Sequence, residues 1–127
     1  MCSLTISQVL KEQLDDLGNQ GEKVLIQLKR RAFDASALNM GLLDAPDTNL
    51  RNPFPPDLRT AGVRKVTIMR HRVYFTGRHV DCNYFAFYVK AFKKGDEPAR
   101  DDNNPRFQNR IRKALESPPI ELSQEST

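Results

Sequence analysis

Residues 63–92 read VRKVTIMRHRVYFTGRHVDCNYFAFYVKAF, and this stretch decides the fold of the chain. Apolar and polar side chains alternate through three segments of it, residues 63–69, 71–76 and 84–92. Alternation with a period of two is typical of strands that bury one face. Because the links between the three segments are short, we expect three consecutive strands of an antiparallel meander.

The alternation divides the side chains of this meander between two faces. The apolar face, which is expected to pack on the preceding helices, carries Val66, Ile68, Val73, Phe75, Phe85, Phe87, Val89 and Ala91. The opposite face is expected to carry Lys65, Arg72, Tyr74, Tyr88 and Lys90. Antiparallel sheets commonly bury one face and leave the other polar.

Two helical patterns precede the meander. Leu10, Leu14 and Leu17 recur at spacings of four and three, and a second apolar stripe runs through residues 22–32. The sequence GNQG at residues 18–21 lies between them. A glycine costs about 1 kcal/mol inside a helix, so we place a turn there. The two helices are expected to form an αα-hairpin, with a single bent helix as the alternative.

A further helix is predicted after Asn104, near the end of the chain. Pro105 stands at its expected first position, where proline is well tolerated. Phe107, Ile111 and Leu115 follow at four-residue spacing and indicate one apolar face.

Three other segments complete the expected architecture. Residues 3–7 fit a short strand. Residues 34–58 contain four prolines, and we expect a long surface loop from which Phe54 packs into the core. Residues 117–127 are predicted to be a flexible tail.

The whole chain, residues 1–127, is then expected to be one α+β domain with its core at about residues 3–116. An N-terminal helical hairpin packs on a three- to four-stranded, mostly antiparallel sheet, and a C-terminal helix follows. A chain of 127 residues buries a sufficient core without disulfides or metal ions.

Basic residues concentrate in the meander. Residues 59–94 contain nine basic residues and one acidic residue, a balance of +8, whereas the whole chain carries +4, so the remainder carries −4. This asymmetry favours a polyanion partner on one face, for which RNA is the leading candidate, or an acidic inhibitor on the same face. A solvated basic surface without a partner is the alternative.

Cysteine usage and hydropathy argue against several classes of protein. Cys2 and Cys82 are far apart, and no Cys or His stands at ligand spacing, so we expect reduced thiols, no metal and no cofactor. No apolar run approaches the roughly 20 residues of a membrane span, and no signal-peptide pattern is visible. We therefore expect a cytoplasmic protein without a membrane partner. The sequence does not indicate an oligomeric state.

The chain resembles the RelE/HigB/ParE superfamily of small toxins from about residue 10 to residue 115. The resemblance rests on the predicted order of helices and strands and on two short motifs, RVYF at residues 72–75 and VKAFKK at residues 89–94. It implies that the helical pair packs on a mostly antiparallel sheet.

The resemblance also implies a function. RelE-like members cleave messenger RNA on the ribosome, where a ribose 2′-hydroxyl attacks the adjacent phosphate. Arg and Lys side chains suit this reaction because charge develops on the phosphate oxygens in the transition state, and no metal is required. A cognate antitoxin would cover the basic face with an acidic or amphipathic segment.

The resemblance assigns roles to individual residues. Arg72 falls on the strand arginine that contacts phosphate, and Lys65 falls on the basic position of the preceding strand. Lys93 or Lys94 matches the basic residue after the meander. His71 is the acid–base candidate, because the pKa of histidine lies near neutrality. The wider RNA-binding surface would comprise Arg64, Arg70, Tyr74, Lys90 and Lys94.

One stretch differs from the family pattern. Residues 95–105, GDEPARDDNNP, contain neither the Tyr nor the His that many RelE-type members carry there, and four carboxylates stand in their place. We interpret these carboxylates as a solvated loop; the sequence leaves open whether they close over the basic face. The difference favours a second hypothesis, a non-enzymatic interaction protein on the same fold. Such a protein would be ParE-like or a catalytically degenerate mobile-element protein.

Overall fold

The predicted meander is present and forms part of a five-stranded mixed sheet. The structure is a computed structural model that describes residues 3–33, 54–78, 83–91 and 101–122. Its strands are β1 (Ser3–Ser7), β2 (Arg64–Ile68), β3 (His71–Arg78), β4 (Asn83–Ala91) and β5 (Pro119–Leu122). The helices among the described residues are α1 (Gln8–Asp16), α2 (Asn19–Phe33), α3 (Pro56–Thr60) and α4 (Pro105–Leu115).

The strand order in the sheet is β2-β3-β4-β1-β5. The β1 strand is parallel to β4, and the other neighbouring pairs are antiparallel. The α+β class and the short strand at residues 3–7 are thus confirmed. The expected count of three to four strands is wrong, because the sheet has five.

The fifth strand lies where a flexible tail was predicted. Residues 119–122 pair antiparallel with β1, and Ile120 stands opposite Ile6. This pairing satisfies an edge of β1 that would otherwise present unpaired backbone groups. Four residues show too little alternation to be recognised as a strand, so the tail prediction was wrong for this segment.

Two separate helices follow β1, as predicted. Ser7 ends β1 and caps α1: its hydroxyl accepts from the Leu10 backbone N–H at 2.8 Å and donates to the Phe87 carbonyl at 2.7 Å. The break between the helices lies at Leu17 and Gly18, where Gly18 has a φ of +61°. Gly21, which was predicted to lie in the turn, is instead inside α2.

Buried side chains form two hydrophobic clusters, one on each face of the sheet. The first joins strands to α1 and α2 and contains Leu4, Ile6, Leu10, Leu14, Val24, Leu28, Ala32, Val66, Ile68, Val73, Phe75, Tyr84, Ala86 and Val89. The second joins the opposite face to α3 and α4 and contains Phe54, Leu58, Val63, Tyr74, Phe87, Phe107, Ile111 and Ala114. The face predicted to be polar is therefore largely covered.

A bulge in β4 changes the predicted assignment of its side chains. Tyr74 pairs with Tyr88, but the next residue of β3, Phe75, pairs with Ala86, so Phe87 is an extra residue. A bulge shifts the alternation, so Phe85 and Phe87 lie with the second cluster. The prediction that they lie on the face of the first cluster was wrong. The prediction for Val89, beyond the bulge, is confirmed.

The predicted loop 34–58 is described only from Phe54 onward; residues 34–53 lie outside the described part of the chain. Phe54 is buried, as predicted. The end of the segment is not a loop, because α3 begins at Pro56, the first helical position, where proline costs nothing. Leu58 of α3 joins Phe54 in the second cluster.

The two-residue turn between β2 and β3 is strained. Met69 and Arg70 have φ angles of +50° and +64°, the left-handed values that a tight hairpin turn of this kind requires. Asn-Gly is the preferred pair there. We expect Met69→Asn/Arg70→Gly to raise the free energy of unfolding by about 1 kcal/mol, measured by urea denaturation, because relief of strain outweighs the added freedom of the unfolded chain. An unchanged or lower value would contradict this turn geometry.

Candidate functional site

Three cations from adjacent strands lie together on the face covered by α3 and α4. In the strand register, Lys65 stands opposite Tyr74, and Arg72 stands opposite Lys90. Successive residues of a strand point to opposite faces, so these side chains share the face of Tyr74 in the second cluster. We call Lys65, Arg72 and Lys90 the cation cluster.

Like charges directly opposite each other on a sheet are unfavourable without a counterion. Asp101 provides it for two of the cations: its Oδ2 lies 2.8 Å from Lys90 Nζ and 3.4 Å from Arg72 Nη1. Arg72 is only 2% exposed, whereas the Lys90 side chain is 36% exposed. A carboxylate between the two cations therefore lets Arg72 be buried at this position.

Asp102 occupies the deepest position of the site. Its side chain is 0% exposed and forms a salt bridge with Lys65, whose side chain is 20% exposed. The hydroxyl of Tyr74 donates to Asp102 Oδ1 at 2.8 Å. A buried carboxylate needs such partners because an unpaired one costs several kcal/mol. We call Asp101 and Asp102 the carboxylate pair.

The start of α4 holds the carboxylate pair in place. Gln108 donates through Nε2 to the Asp102 carbonyl at 2.8 Å, and the Asn104 backbone N–H donates to the Asp101 carbonyl at 2.9 Å. Asn104 then caps α4, since its Oδ1 accepts from the Arg106 backbone N–H at 2.9 Å. These bonds fix the backbone of the carboxylate pair to the first turn of α4.

Aromatic rings wall the site on the side of α4. Phe107 meets Tyr74 and Tyr88 edge to face, with ring centroids 5.4 and 5.6 Å apart. The ammonium of Lys90 lies 5.2 Å from the centroid of the Phe107 ring, a distance at which the ring face attracts a cation. The cluster is thus partly desolvated, which strengthens its charge interactions.

Ionisation within the site follows from these contacts. Burial raises the pKa of Tyr74, and the neighbouring Asp102 carboxylate raises it further, so the phenol remains a hydrogen-bond donor. For Asp101, burial raises the pKa, but the hydrogen bond and charge of Lys90 and the charge of Arg72 together lower it by more. The carboxylate of Asp101 is accordingly held in its charged form.

The predicted site residues do not all lie together. Lys65, Arg72, Tyr74 and Lys90 meet, as described. His71 is adjacent to Arg72 in β3 and so lies on the opposite face, where its Nδ1 is 2.8 Å from the Met69 carbonyl oxygen. The other four predicted residues lie elsewhere or outside the described part of the chain. Arg64 shares the face of Val66, Arg70 is in the exposed turn, and Lys93 and Lys94 are not described.

The carboxylate pair was missed as a part of the site. Asp101 and Asp102 were interpreted as solvated loop residues, yet Asp102 is fully buried. The net charge of +8 in residues 59–94 could have indicated this pair. Cations on a strand that becomes covered require acidic partners from elsewhere in the chain.

Chemically, the site can hold anions. Lys65 and Lys90 are donors that remain partly accessible, and both now bind carboxylate oxygens. Within the described ranges, no group of three or more His, Cys, Asp or Glu side chains is arranged to hold a metal ion. Nor does any helix in those ranges combine the length and apolar character needed to cross a membrane.

In comparisons with known proteins, no family model, no curated protein and no solved structure matches the chain. Inferences about function therefore rest on the residues of this chain.

Proposed function

We propose that the protein binds RNA through the cation cluster, as a relative of the RelE/HigB toxins. The observation that carries this proposal is the convergence of Lys65, Arg72 and Lys90 on one face of the sheet. Cationic side chains fixed on neighbouring strands present several donors to phosphate oxygens at once. A ribosomal partner would place the protein in the cytoplasm.

The arrangement of the N-terminal helices supports the family assignment. We propose that α1 and α2 form the hairpin which, in RelE-like proteins, packs on the sheet. Leu10 of α1 and Leu28 of α2 share a hydrophobic cluster with Val73 and Phe75 of β3. Apart from the short α3, which lies between α2 and β2, the order of two helices, three antiparallel strands and a further helix also agrees with the family pattern.

The cations differ in what they offer to RNA. Lys90 and Lys65 keep 36% and 20% of their side-chain surface exposed and can reach a phosphate. Arg72 is buried behind Asp101 and would contact phosphate only after displacement of that carboxylate. In the proposed reaction, the ammonium of Lys90 stabilises charge on the phosphate oxygens.

A second candidate function is a non-enzymatic interaction protein on the same fold. The observation that favours it is the carboxylate pair, which already neutralises the cation cluster. His71, the proposed acid or base, lies on the other face of the sheet and cannot assist cleavage at this cluster. Such a protein would bind a partner through its surface and leave RNA intact.

Induced expression in a bacterial host, followed by primer extension on a reporter transcript, separates the two functions. For the RNA-cleaving toxin, we expect growth arrest and transcript cuts phased with codons. Lys90→Gln should relieve the growth arrest and reduce the frequency of cuts by at least tenfold, because it removes an accessible cation without opening the core. Lys23→Gln, an exposed lysine of α2, is the matched control and should behave as the parent.

Intact transcripts with the parent protein would exclude the nuclease. Growth arrest without cuts would then indicate the interaction protein, whereas normal growth would exclude a toxin of either kind. Equal effects of Lys90→Gln and Lys23→Gln would show that the cation cluster is not the site.

A further inference from the structure

We propose that the exposed face of α4 is a docking surface for single-stranded RNA, next to the cation cluster. This inference rests on the proposed function and names the surface that would carry most of the backbone contacts. Arg106, Arg110 and Lys113 stand at spacings of four and three, so they form one stripe along the helix. All three side chains are exposed.

The charges of this stripe have no counterions on the helix. The sequence of α4, PRFQNRIRKAL, contains four basic residues and no acidic residue. Arg112 is paired with Asp57, with Nε and Oδ2 2.7 Å apart. Among the residues that the structure describes, the side chains of Arg106, Arg110 and Lys113 form no ion pair.

Arg106 and Arg110 are a like-charged pair one turn apart, which is unfavourable in an isolated helix. A bound polyanion would remove this repulsion. The stripe advances about 6 Å and then about 4.5 Å along the helix axis, so it presents a row of donors to a phosphate backbone. Glu116, the acidic residue that follows the helix, is at the far end of this row from Arg106.

The chemistry of the face favours nucleic acid over an acidic protein. The other exposed residues of the helix are Pro105 and Asn109, and the apolar residues Phe107, Ile111 and Ala114 are buried underneath. Protein interfaces are typically centred on apolar or aromatic anchors, which this face lacks. Phosphate contacts need only cations and hydrogen-bond donors.

The position of α4 joins this stripe to the cation cluster. Phe107, next to Arg106, lies against the partly exposed Lys90, and Gln108 donates to the Asp102 carbonyl. The α2 helix is also basic, with four basic residues and Glu22, but its buried side chains belong to the cluster on the other face of the sheet. An RNA strand on α4 would therefore reach Lys90, whereas one on α2 would not.

The test compares two pairs of exposed helical cations. Arg106→Gln/Arg110→Gln removes two charges from α4, and Lys23→Gln/Arg30→Gln removes two from α2; glutamine has a helix propensity close to that of lysine and arginine. Binding of a fluorescein-labelled single-stranded RNA of mixed sequence is measured by polarisation from low to high salt, and thermal unfolding confirms that both variants fold.

We expect the α4 variant to bind roughly 25-fold more weakly at 0.1 M salt, with the slope of log K against log salt reduced by about 1.4. The α2 variant should match the parent.

If the parent binds RNA and the two variants bind it with the same affinity as each other, the proposal that α4 is the docking surface is overturned. The proposal that the protein binds RNA would stand in that case. If the parent does not bind RNA, the proposed function itself fails and the α4 inference fails with it. Poly-glutamate is also tested as a competitor for the labelled RNA. If it displaces the RNA as well as unlabelled RNA of the same total charge does, α4 binds an acidic protein and the proposed RNA surface is overturned.

Discussion

Replacing Lys65 by methionine is expected to lower the free energy of unfolding by about 3–5 kcal/mol. The change leaves the Asp102 carboxylate, which is 0% exposed, without its cationic partner. The hydroxyl of Tyr74 would remain as a donor to Asp102, but one neutral hydrogen bond does not compensate a buried charge. Since domains of this size are stable by about 5–15 kcal/mol, urea denaturation should show a large decrease.

Lys11→Met is the matched control for this measurement. Lys11 also forms a salt bridge, with Asp15 at 3.2 Å, but both side chains are largely exposed. Exposed pairs contribute about 0–1 kcal/mol, so this variant should lose at most that amount. Asp102→Asn in the Lys65→Met background should recover part of the lost stability, because it removes the unpaired charge. Equal small losses for Lys65→Met and Lys11→Met would contradict a buried salt bridge between Lys65 and Asp102.

The strength of this interaction bears on the proposed binding of RNA. Asp102 is buried and bound by Lys65 and Tyr74, so a phosphate would not readily displace it. Asp101 is 27% exposed, and its contact with Arg72 is longer, at 3.4 Å. RNA would therefore compete first with Asp101 for Lys90. On this view, Lys65 contributes mainly to stability and Lys90 mainly to binding.

The strands could be predicted from the sequence because their alternation is strong. Val66, Val73 and Val89 were assigned to the correct face, and the helices at the N-terminus and at Pro105 were also anticipated. The prediction from alternation was wrong at Phe87, because this extra residue in β4 reverses which side chains point to each face of the sheet. A bulge depends on the partner strand, so it leaves no signal in the local pattern.

The candidate site was predicted only in part, for a related reason. Lys65, Arg72 and Lys90 were placed on one face from their positions in the strands. The sequence pattern did not reveal that α3 and α4 cover that face and bring Asp101 and Asp102 to the cations. Contacts between segments distant in the chain follow from tertiary packing, which spacing within one element does not encode.

Gly21 gives a case in which local propensity and packing predict opposite results. Alanine is favoured over glycine by about 1 kcal/mol in a helix interior, so propensity alone predicts that Gly21→Ala stabilises α2. The added Cβ, however, would lie 1.9 Å from the Leu14 carbonyl oxygen and 2.7 Å from its carbonyl carbon. Both atoms belong to the backbone of α1 and cannot rotate away.

We expect packing to dominate, and Gly21→Ala to lower the free energy of unfolding by about 2–3 kcal/mol. The helices must separate, which would loosen Leu10 and Leu14 against Val24 in the first cluster. Gln20→Ala, at the exposed position before it, is the control and should change stability by less than about 0.5 kcal/mol. Chemical denaturation measures both variants. A more stable Gly21→Ala protein would show that α1 and α2 do not approach closely at this point, and that helix propensity alone governs the site.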